Sequence, residues 1–104
     1  PYADEALLAL GSTYQEIGQL NKAIEPLRKL VNNYKGKSDL INQGLIRLGL
    51  ITYNQNNPEG AINYYKQVFS NNPSQEEASL ALAALEEIYV DDLGRSDDYF
   101  TFLE

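Results

Sequence analysis

The sequence LLALG at residues 7–11 returns as LIRLG at residues 45–49, which is 38 positions later. The similarity continues outward from both stretches. Three more pairs share this spacing, namely Ala23 with Ala61, Ile24 with Ile62 and Asn33 with Asn71. A fixed period of a few tens of residues indicates a solenoid, in which each unit buries its apolar face only against neighbouring units. The sequence therefore predicts a row of repeated units.

A third and weaker copy follows the first two. Leucine and tyrosine positions of the first copy, Leu7, Leu10 and Tyr14, correspond to Leu82, Leu85 and Tyr89 in the third. Gly18 corresponds to Gly94. The first three pairs are 75 positions apart and the last pair is 76 apart, so the third copy has one extra residue before Gly94. We expect the third unit to have drifted from the other two and to have a short second helix.

Apolar residues recur at three- and four-residue intervals along the chain, which is typical of amphipathic helices and predicts an all-α fold. We expect helices over residues 3–17, 21–31, 40–53, 58–69 and 78–90, and a last helix of about two turns after residue 96. Gly18 and Gly94 suit the turns between paired helices. The predicted caps are Asn21, Ser38 or Asp39, Ser74 with Glu77, and Ser96, and Pro58 suits a first helical position.

The net charge of −7 is concentrated in the third copy. Residues 1–73 carry seven Lys or Arg and six Asp or Glu, whereas residues 74–104 carry one Arg and nine acidic residues. Acidic surface repels phosphate backbones, so we expect no binding to nucleic acid. Apolar stretches are interrupted within a few residues, so we also expect no direct membrane insertion.

The chain has no Cys and no His, which excludes Cys/His zinc sites, Cys nucleophiles and His-dependent triads within it. The carboxylates at residues 91–92 and 97–98 lack the ligand spacing of an EF-hand loop. Glu86 and Glu87 are neighbours on a helix, so their side chains point about 100° apart and do not converge on one substrate. We therefore expect no catalytic residue, no metal site and no cofactor, and a protein that is not an enzyme.

Each of the first two copies combines a Leu-Gly pair with a later Ala. These residues are Leu10, Gly11, Tyr14 and Ala23 in the first copy, and Leu48, Gly49, Ala61 and Pro73 in the second. The pattern resembles the tetratricopeptide repeat, a helix–turn–helix unit of about 34 residues. Small residues at such positions allow the two helices of a unit to cross closely. Thr52 departs from the pattern, because the family has an aromatic residue there and this chain places Tyr53 one position later.

The resemblance implies an α-solenoid of three helix-turn-helix repeats in a right-handed superhelix. The repeats fall at about residues 3–37, 39–73 and 75–104, and the extra length of each unit lies in the connections between units. Lengthened repeats of this kind are similar to those of bacterial envelope proteins, such as outer-membrane assembly lipoproteins and the Tol–Pal coordinator. That similarity implies a location in the bacterial periplasm or cell envelope.

In this family the first helices of the units line a concave groove. Carried over by position, the groove residues of this chain are Leu8, Ser12, Gln15, Gln43, Ile46, Leu50, Tyr53, Asn54, Ala83, Glu87 and Asp91. Chaperone-binding members hold the terminal carboxylate of a peptide with Lys, Asn and Arg side chains. No cation stands at the equivalent positions here, so we expect a groove without cations and no carboxylate clamp.

The groove positions combine an apolar stripe of Leu8, Ile46, Leu50 and Tyr53 with an acidic end. One interpretation is a groove for an apolar or mildly basic segment of a partner, such as a helix. The other is that these side chains pack against neighbouring repeats or against the facing helix.

The sequence predicts a non-catalytic scaffold for protein–protein interaction or assembly. The alternatives are a structural spacer, or part of a larger envelope protein whose activity lies outside this segment. The chain begins with Pro1 and lacks Met, so we expect it to be a piece of a longer protein. Phe100, Phe102 and Leu103 replace the polar residues of a solenoid cap, which predicts either further repeats or self-association through this end.

Overall fold

The computed structural model describes residues 3–104, and this part of the chain is helical without strands. Its helices are α1 (Ala3–Glu16), α2 (Leu20–Asn33), α3 (Ile41–Asn54), α4 (Pro58–Val68), α5 (Gln75–Glu86) and α6 (Ser96–Leu103), with a π-helical segment at Glu87–Asp92. The all-α prediction is confirmed. Among these residues no helix is both long and apolar enough to cross a membrane.

Glycine allows the two helices of each of the first two units to pack closely. A methyl group added at Gly11 in α1 would lie 2.5 Å from the Leu27 side chain in α2. A methyl group added at Gly49 in α3 would lie 2.7 Å from the Tyr65 ring in α4. Because these distances are shorter than real carbon–carbon contacts, a side chain at either glycine would force the helices apart.

The turns between paired helices repeat every 38 residues. Gly18, Asn56 and Gly94 occupy equivalent positions and have φ angles of 82°, 64° and 63°. This left-handed conformation is easily adopted by glycine and tolerated by asparagine. The second helices begin at Leu20, Pro58 and Ser96, so their starts keep the same 38-residue period.

The units stack in a row, because the second helix of one unit packs against the first helix of the next. α2 contacts α3, and α4 contacts α5. At the first of these junctions a methyl group added at Gly44 would lie 3.0 Å from Leu30 Cδ2 and 3.2 Å from Val31 Cγ2. The described part of the chain is accordingly elongated, measuring 43 × 28 × 19 Å.

A continuous apolar core links the three units. Its most deeply buried members, each at most 1% exposed, are Ala23, Leu27, Leu30, Leu45, Leu48, Ile51, Ala61, Val68, Ala81 and Leu85. They come from α2, α3, α4 and α5, so the core runs from the first unit through the second and into the third. The folding stability of such an array depends on the stacking of neighbouring units.

Two of the predicted helix starts are confirmed. Ser74 accepts a hydrogen bond from the Glu77 backbone N–H at 3.1 Å, and the Ser74 N–H donates to Glu77 Oε1 at 3.0 Å. Asn57 precedes Pro58 and accepts from the Gly60 N–H at 3.0 Å. Pro58 therefore occupies the first helical position, where its missing N–H costs nothing.

Three other predicted caps are wrong, because each helix begins at a different residue from the one expected. α2 begins one residue before Asn21, whose Oδ1 accepts instead from Gln55 in the next unit at 2.8 Å. α3 begins at Ile41 without a side-chain cap, so neither Ser38 nor Asp39 caps it. Ser96 is the first residue of α6 rather than its cap.

The Ser38 hydroxyl has another role near the start of α3. It accepts from the Leu40 N–H at 3.0 Å and donates to Asp4 Oδ2 at 2.8 Å. This pair of hydrogen bonds fastens the connection between the first two units to the start of α1. The hydrogen bond from Ser38 also lowers the pKa of Asp4.

The extra residue of the third copy is accommodated by a widened helical turn. The α-helix predicted over residues 78–90 ends at Glu86, and residues 87–92 continue as a π-helix. The Leu93 N–H donates to the Ile88 carbonyl at 2.9 Å, which is the five-residue spacing of a π turn. This turn absorbs one residue, so Gly94 still lies 38 positions after its equivalent Asn56.

We predict that Gly49→Ala destabilises the protein although alanine favours helices. The gain in helix propensity is about 1 kcal/mol. Overpacking against the Tyr65 ring costs about 1–3 kcal/mol and offsets that gain. Urea unfolding followed by circular dichroism should therefore show a lower midpoint.

Gln43→Ala on the same helix is the control, because Gln43 is exposed and has no such contact to crowd. It should leave the midpoint unchanged or raise it slightly. A Gly49→Ala midpoint equal to or above wild type would contradict the packing constraint.

Candidate partner-binding groove

A depression of about 500 Å³ lies where α3 faces α1 and the start of α5. Four of the predicted groove residues line it together, namely Gln15, Gln43, Ile46 and Leu50. They come from α1 and α3, the first helices of the first two units. These helices neighbour one another in the stack, which brings residues 15 and 43 to the same surface.

The floor of this depression is apolar. Leu50 is 44% exposed, and Leu80, in the middle of α5, is 53% exposed. Ile46 lines the same depression and is half-buried. Sequence reasoning missed Leu80. The 37-residue offset between the second and third copies, applied to the groove position Gln43, would have identified it.

Arg47 corrects the expectation of a groove without cations. Its guanidinium lines the depression, and Nη1 donates to Gln15 Oε1 at 2.9 Å. The position was overlooked because Arg47 lies between two groove positions on α3, and its long side chain reaches across to α1. The groove therefore has one positively charged wall.

The opposite wall is formed by the start of α5 and contains Ser74, Glu76 and Glu77. Glu77 Oε1 accepts from the Ser74 N–H and also from Asn42 Nδ2, the latter at 3.2 Å. Asn42 is 5% exposed and additionally donates to the Asn71 carbonyl at 2.9 Å. These hydrogen bonds fix the start of α5 against α3, and Glu76 remains exposed at its first turn.

Two predicted groove residues line a separate depression of about 380 Å³. Tyr53 and Asn54 lie there beside Pro58 and Asp92. The Tyr53 hydroxyl donates to Asp92 Oδ2 at 2.6 Å, linking α3 to the π-helical segment. The one-residue shift of this aromatic side chain from the family position thus provides a contact between the second and third units.

The remaining predicted residues lie outside both depressions. Leu8 and Ser12 are half-buried on α1, whereas Ala83, Glu87 and Asp91 are exposed on α5 and the π-helical segment. The structure thus divides the predicted set into a central group, a group beside Asp92, and residues in neither group.

Two tyrosines have strongly perturbed acidity for different reasons. The hydrogen bond to Asp92 raises the pKa of Tyr53 to about 12, with burial and the charges of Asp92 and Glu87 adding to the effect. Burial raises the pKa of Tyr65 to about 12. Both phenols are therefore neutral at physiological pH and act as hydrogen-bond donors or packing groups.

Stacked helix pairs with a surface depression along their first helices define an α-helical repeat protein. Two family models, each described as tetratricopeptide repeat, match residues 5–36 and 43–75. The chain therefore belongs to the tetratricopeptide repeat family, and the resemblance noted from Leu-Gly and Ala positions is confirmed. Repeats of this family generally mediate protein–protein interaction or assembly. No curated protein and no solved structure matches the chain.

We predict that Asp92→Ala lowers the pKa of Tyr53 toward its ordinary value of 10.0, because it removes the hydrogen bond to the phenol. The raised pKa means that this hydrogen bond stabilises the fold below pH 10 and is lost as the pH rises through about 12. Carbon NMR of the tyrosine rings during a pH titration measures the change.

Tyr65 is the internal control, since its pKa is raised chiefly by burial and should not move in the variant. An unchanged Tyr53 pKa would show that Asp92 is not its partner.

Proposed function

We propose that the chain is a non-catalytic scaffold whose central groove binds an amphipathic helix from a partner protein. The observation that carries the proposal is the pair Leu50 and Leu80, which remain about half exposed on the floor of a concave surface. Exposed leucines that line one depression together indicate an interaction site, whereas apolar residues scattered singly over a surface do not. Helix-in-groove recognition places apolar side chains of the ligand over such a floor.

The charges around the groove favour a partner helix with a basic side. Glu76 is exposed on one wall, and residues 74–104 carry nine acidic residues against Arg95. This field attracts cationic segments and accelerates their association. Arg47 and Gln15 on the other wall can meet an acidic or amide group of the same ligand. The preferred ligand is therefore apolar on one face, basic towards α5 and polar towards α1.

The proposal predicts that Leu50→Glu weakens binding of such helices by about tenfold or more, since a buried leucine contributes about 1.5–3 kcal/mol. The ligands are selected from a displayed library of helical peptides with leucines at helical spacing and randomised polar positions. Fluorescence anisotropy with the purified peptides then measures affinity. We expect selected peptides to be rich in Lys and Arg.

Leu10→Glu is a matched control, because Leu10 is 47% exposed, close to the 44% of Leu50, but lies outside the groove. It should bind the selected peptides as wild type does. Circular dichroism establishes that both variants remain folded. Equal binding of peptides to Leu50→Glu and wild type would refute the groove and favour the alternative of a structural spacer.

A further inference from the structure

We propose that a polar cavity between the connections of the repeats binds a small zwitterion, namely a free α-amino acid with a polar side chain. The cavity has a volume of about 620 Å³, which lies within the range of about 300–1,000 Å³ usual for small-molecule sites. It is a different site from the central groove, although Ser74 and Glu77 lie on the border between the two. Binding of an amino acid here is independent of peptide binding in the groove.

The cavity is built largely from residues outside the family repeats. The repeats at residues 5–36 and 43–75 leave residues 37–42 between them. Five of those six residues line the cavity, and residues 70–72, which follow α4, form another part of its wall. The extra length of the connections in this chain therefore provides a surface that a shorter repeat would lack.

A buried amide with an unsatisfied oxygen lines this cavity. Asn42 is 5% exposed, and its Nδ2 donates to the Asn71 carbonyl at 2.9 Å and to Glu77 Oε1 at 3.2 Å. Because both partners are acceptors, turning the amide round would set its oxygen against them, and this fixes its orientation. No donor within residues 3–104 reaches Asn42 Oδ1. A buried acceptor of this kind favours a ligand that donates a hydrogen bond.

The carboxylates of the cavity favour a donor that is positively charged. Asp39 and Glu77 line the cavity together with one cation, Lys37, so these three side chains have a net charge of −1. Residues 3–104 contain no group of three or more acidic side chains that could hold a metal ion, so an organic ammonium fits better than a metal. An ammonium has three N–H donors, and Asn42 Oδ1 and the Glu77 carboxylate are acceptors for them.

The start of α3 provides the opposite character, which suits a carboxylate. α3 begins at Ile41 without a side-chain cap and without an acidic residue in its first turn, so its first backbone N–H groups remain available. Such a helix start stabilises an anion, and Lys37 lies four residues before it on the cavity wall. The cavity thus places acceptors next to an uncapped helix start. The adjacent ammonium and carboxylate of an α-amino acid require this combination.

The remaining wall favours a polar side chain on the ligand. Ser70, Asn71 and Asn72 form it, and Ile41 is the only large apolar residue among the described residues that line the cavity. Hydroxyl and amide groups can exchange hydrogen bonds with the side chain of glutamine. They would lose hydrogen bonds to water without replacement against the side chain of leucine.

NMR of the intact chain labelled with nitrogen-15 tests the proposal, with free glutamine as the probe. The side-chain NH₂ signal of Asn42 should shift on titration with glutamine to about 20 mM, with a dissociation constant of about 0.1–10 mM. Glutamine blocked at both ends, as its N-acetyl amide, should not shift this signal, because both charged groups have been removed. Leucine should bind about fivefold more weakly than glutamine, or worse.

Glu77→Gln removes the charge that faces the ammonium while leaving the local hydrogen bonds in place. Glutamine also completes a capping box, and its Oε1 can accept from the Ser74 N–H and from Asn42 as Glu77 does. The variant should bind glutamine about tenfold more weakly, which is the effect of losing a charge-assisted hydrogen bond. Glu76→Gln is the matched control, because it removes the same charge one residue away and outside the cavity. It should bind as wild type does.

Lys37→Gln tests the carboxylate end of the ligand. Because Lys37 is exposed, the loss should be only about threefold in affinity. Lys35→Gln is the control, since Lys35 is also exposed but does not line the cavity.

Three results would overturn the proposal. The first is an Asn42 signal that does not move at about 20 mM glutamine, in which case water alone satisfies Oδ1. The second is equal binding of free and blocked glutamine. The third is equal binding to Glu77→Gln and wild type.

Leu50→Glu separates this cavity from the groove. The variant should bind glutamine as wild type does, whether or not it has lost peptide binding. Shifts at Leu50 and Leu80 in place of Asn42 would locate the amino acid in the groove and would also overturn the proposal.

Discussion

The packing of each unit against the unit before it in the stack is the constraint on which the rest of this structure depends. Each pair of crossed helices has an apolar face that a neighbouring unit can cover, and Leu48 and Leu85, which have a unit before them in the stack, are 1% and 0% exposed. Leu10 shows the result without that cover, since the same residue type at the same repeat position is 47% exposed. The continuous core, the elongated shape of the described residues and the exposure of Leu10 all follow from this arrangement.

The third unit shows how that stacking survives the loss of close helix packing. Glu86 replaces the glycine of the first two units, and Tyr99 replaces their alanine. Tyr99 is nevertheless 6% exposed, because its ring packs 6.3 Å from that of Tyr89, and α6 contacts the widened π-helical segment. Large side chains thus fill the space that a wider helix separation leaves. The left-handed turn at Gly94 stays in phase with those of the other units.

Some of the residues that line the central depression were among the predicted set. Its apolar members Ile46 and Leu50 followed from their repeat positions, and the structure places both in the central depression. Arg47 was missed because repeat position indicates which way a side chain leaves its helix but not how far a long, flexible one reaches. Tyr53 was grouped with the floor, yet its hydroxyl is committed to Asp92 in the next unit. Such contacts join residues far apart in sequence, and no local pattern indicates them.

The amino-acid sequence by itself determined the helical class, the 38-residue period and the family, because these depend on apolar spacing and on small residues at the helix crossings. It also determined the capping box at Ser74, which is a local hydrogen-bonding pattern. Only the tertiary structure decided where the extra residue of the third unit goes, which leucines remain exposed and which walls of the groove are charged. The physical reason is that exposure and side-chain pairing depend on which units lie next to each other, whereas helix formation depends mainly on neighbours along the chain.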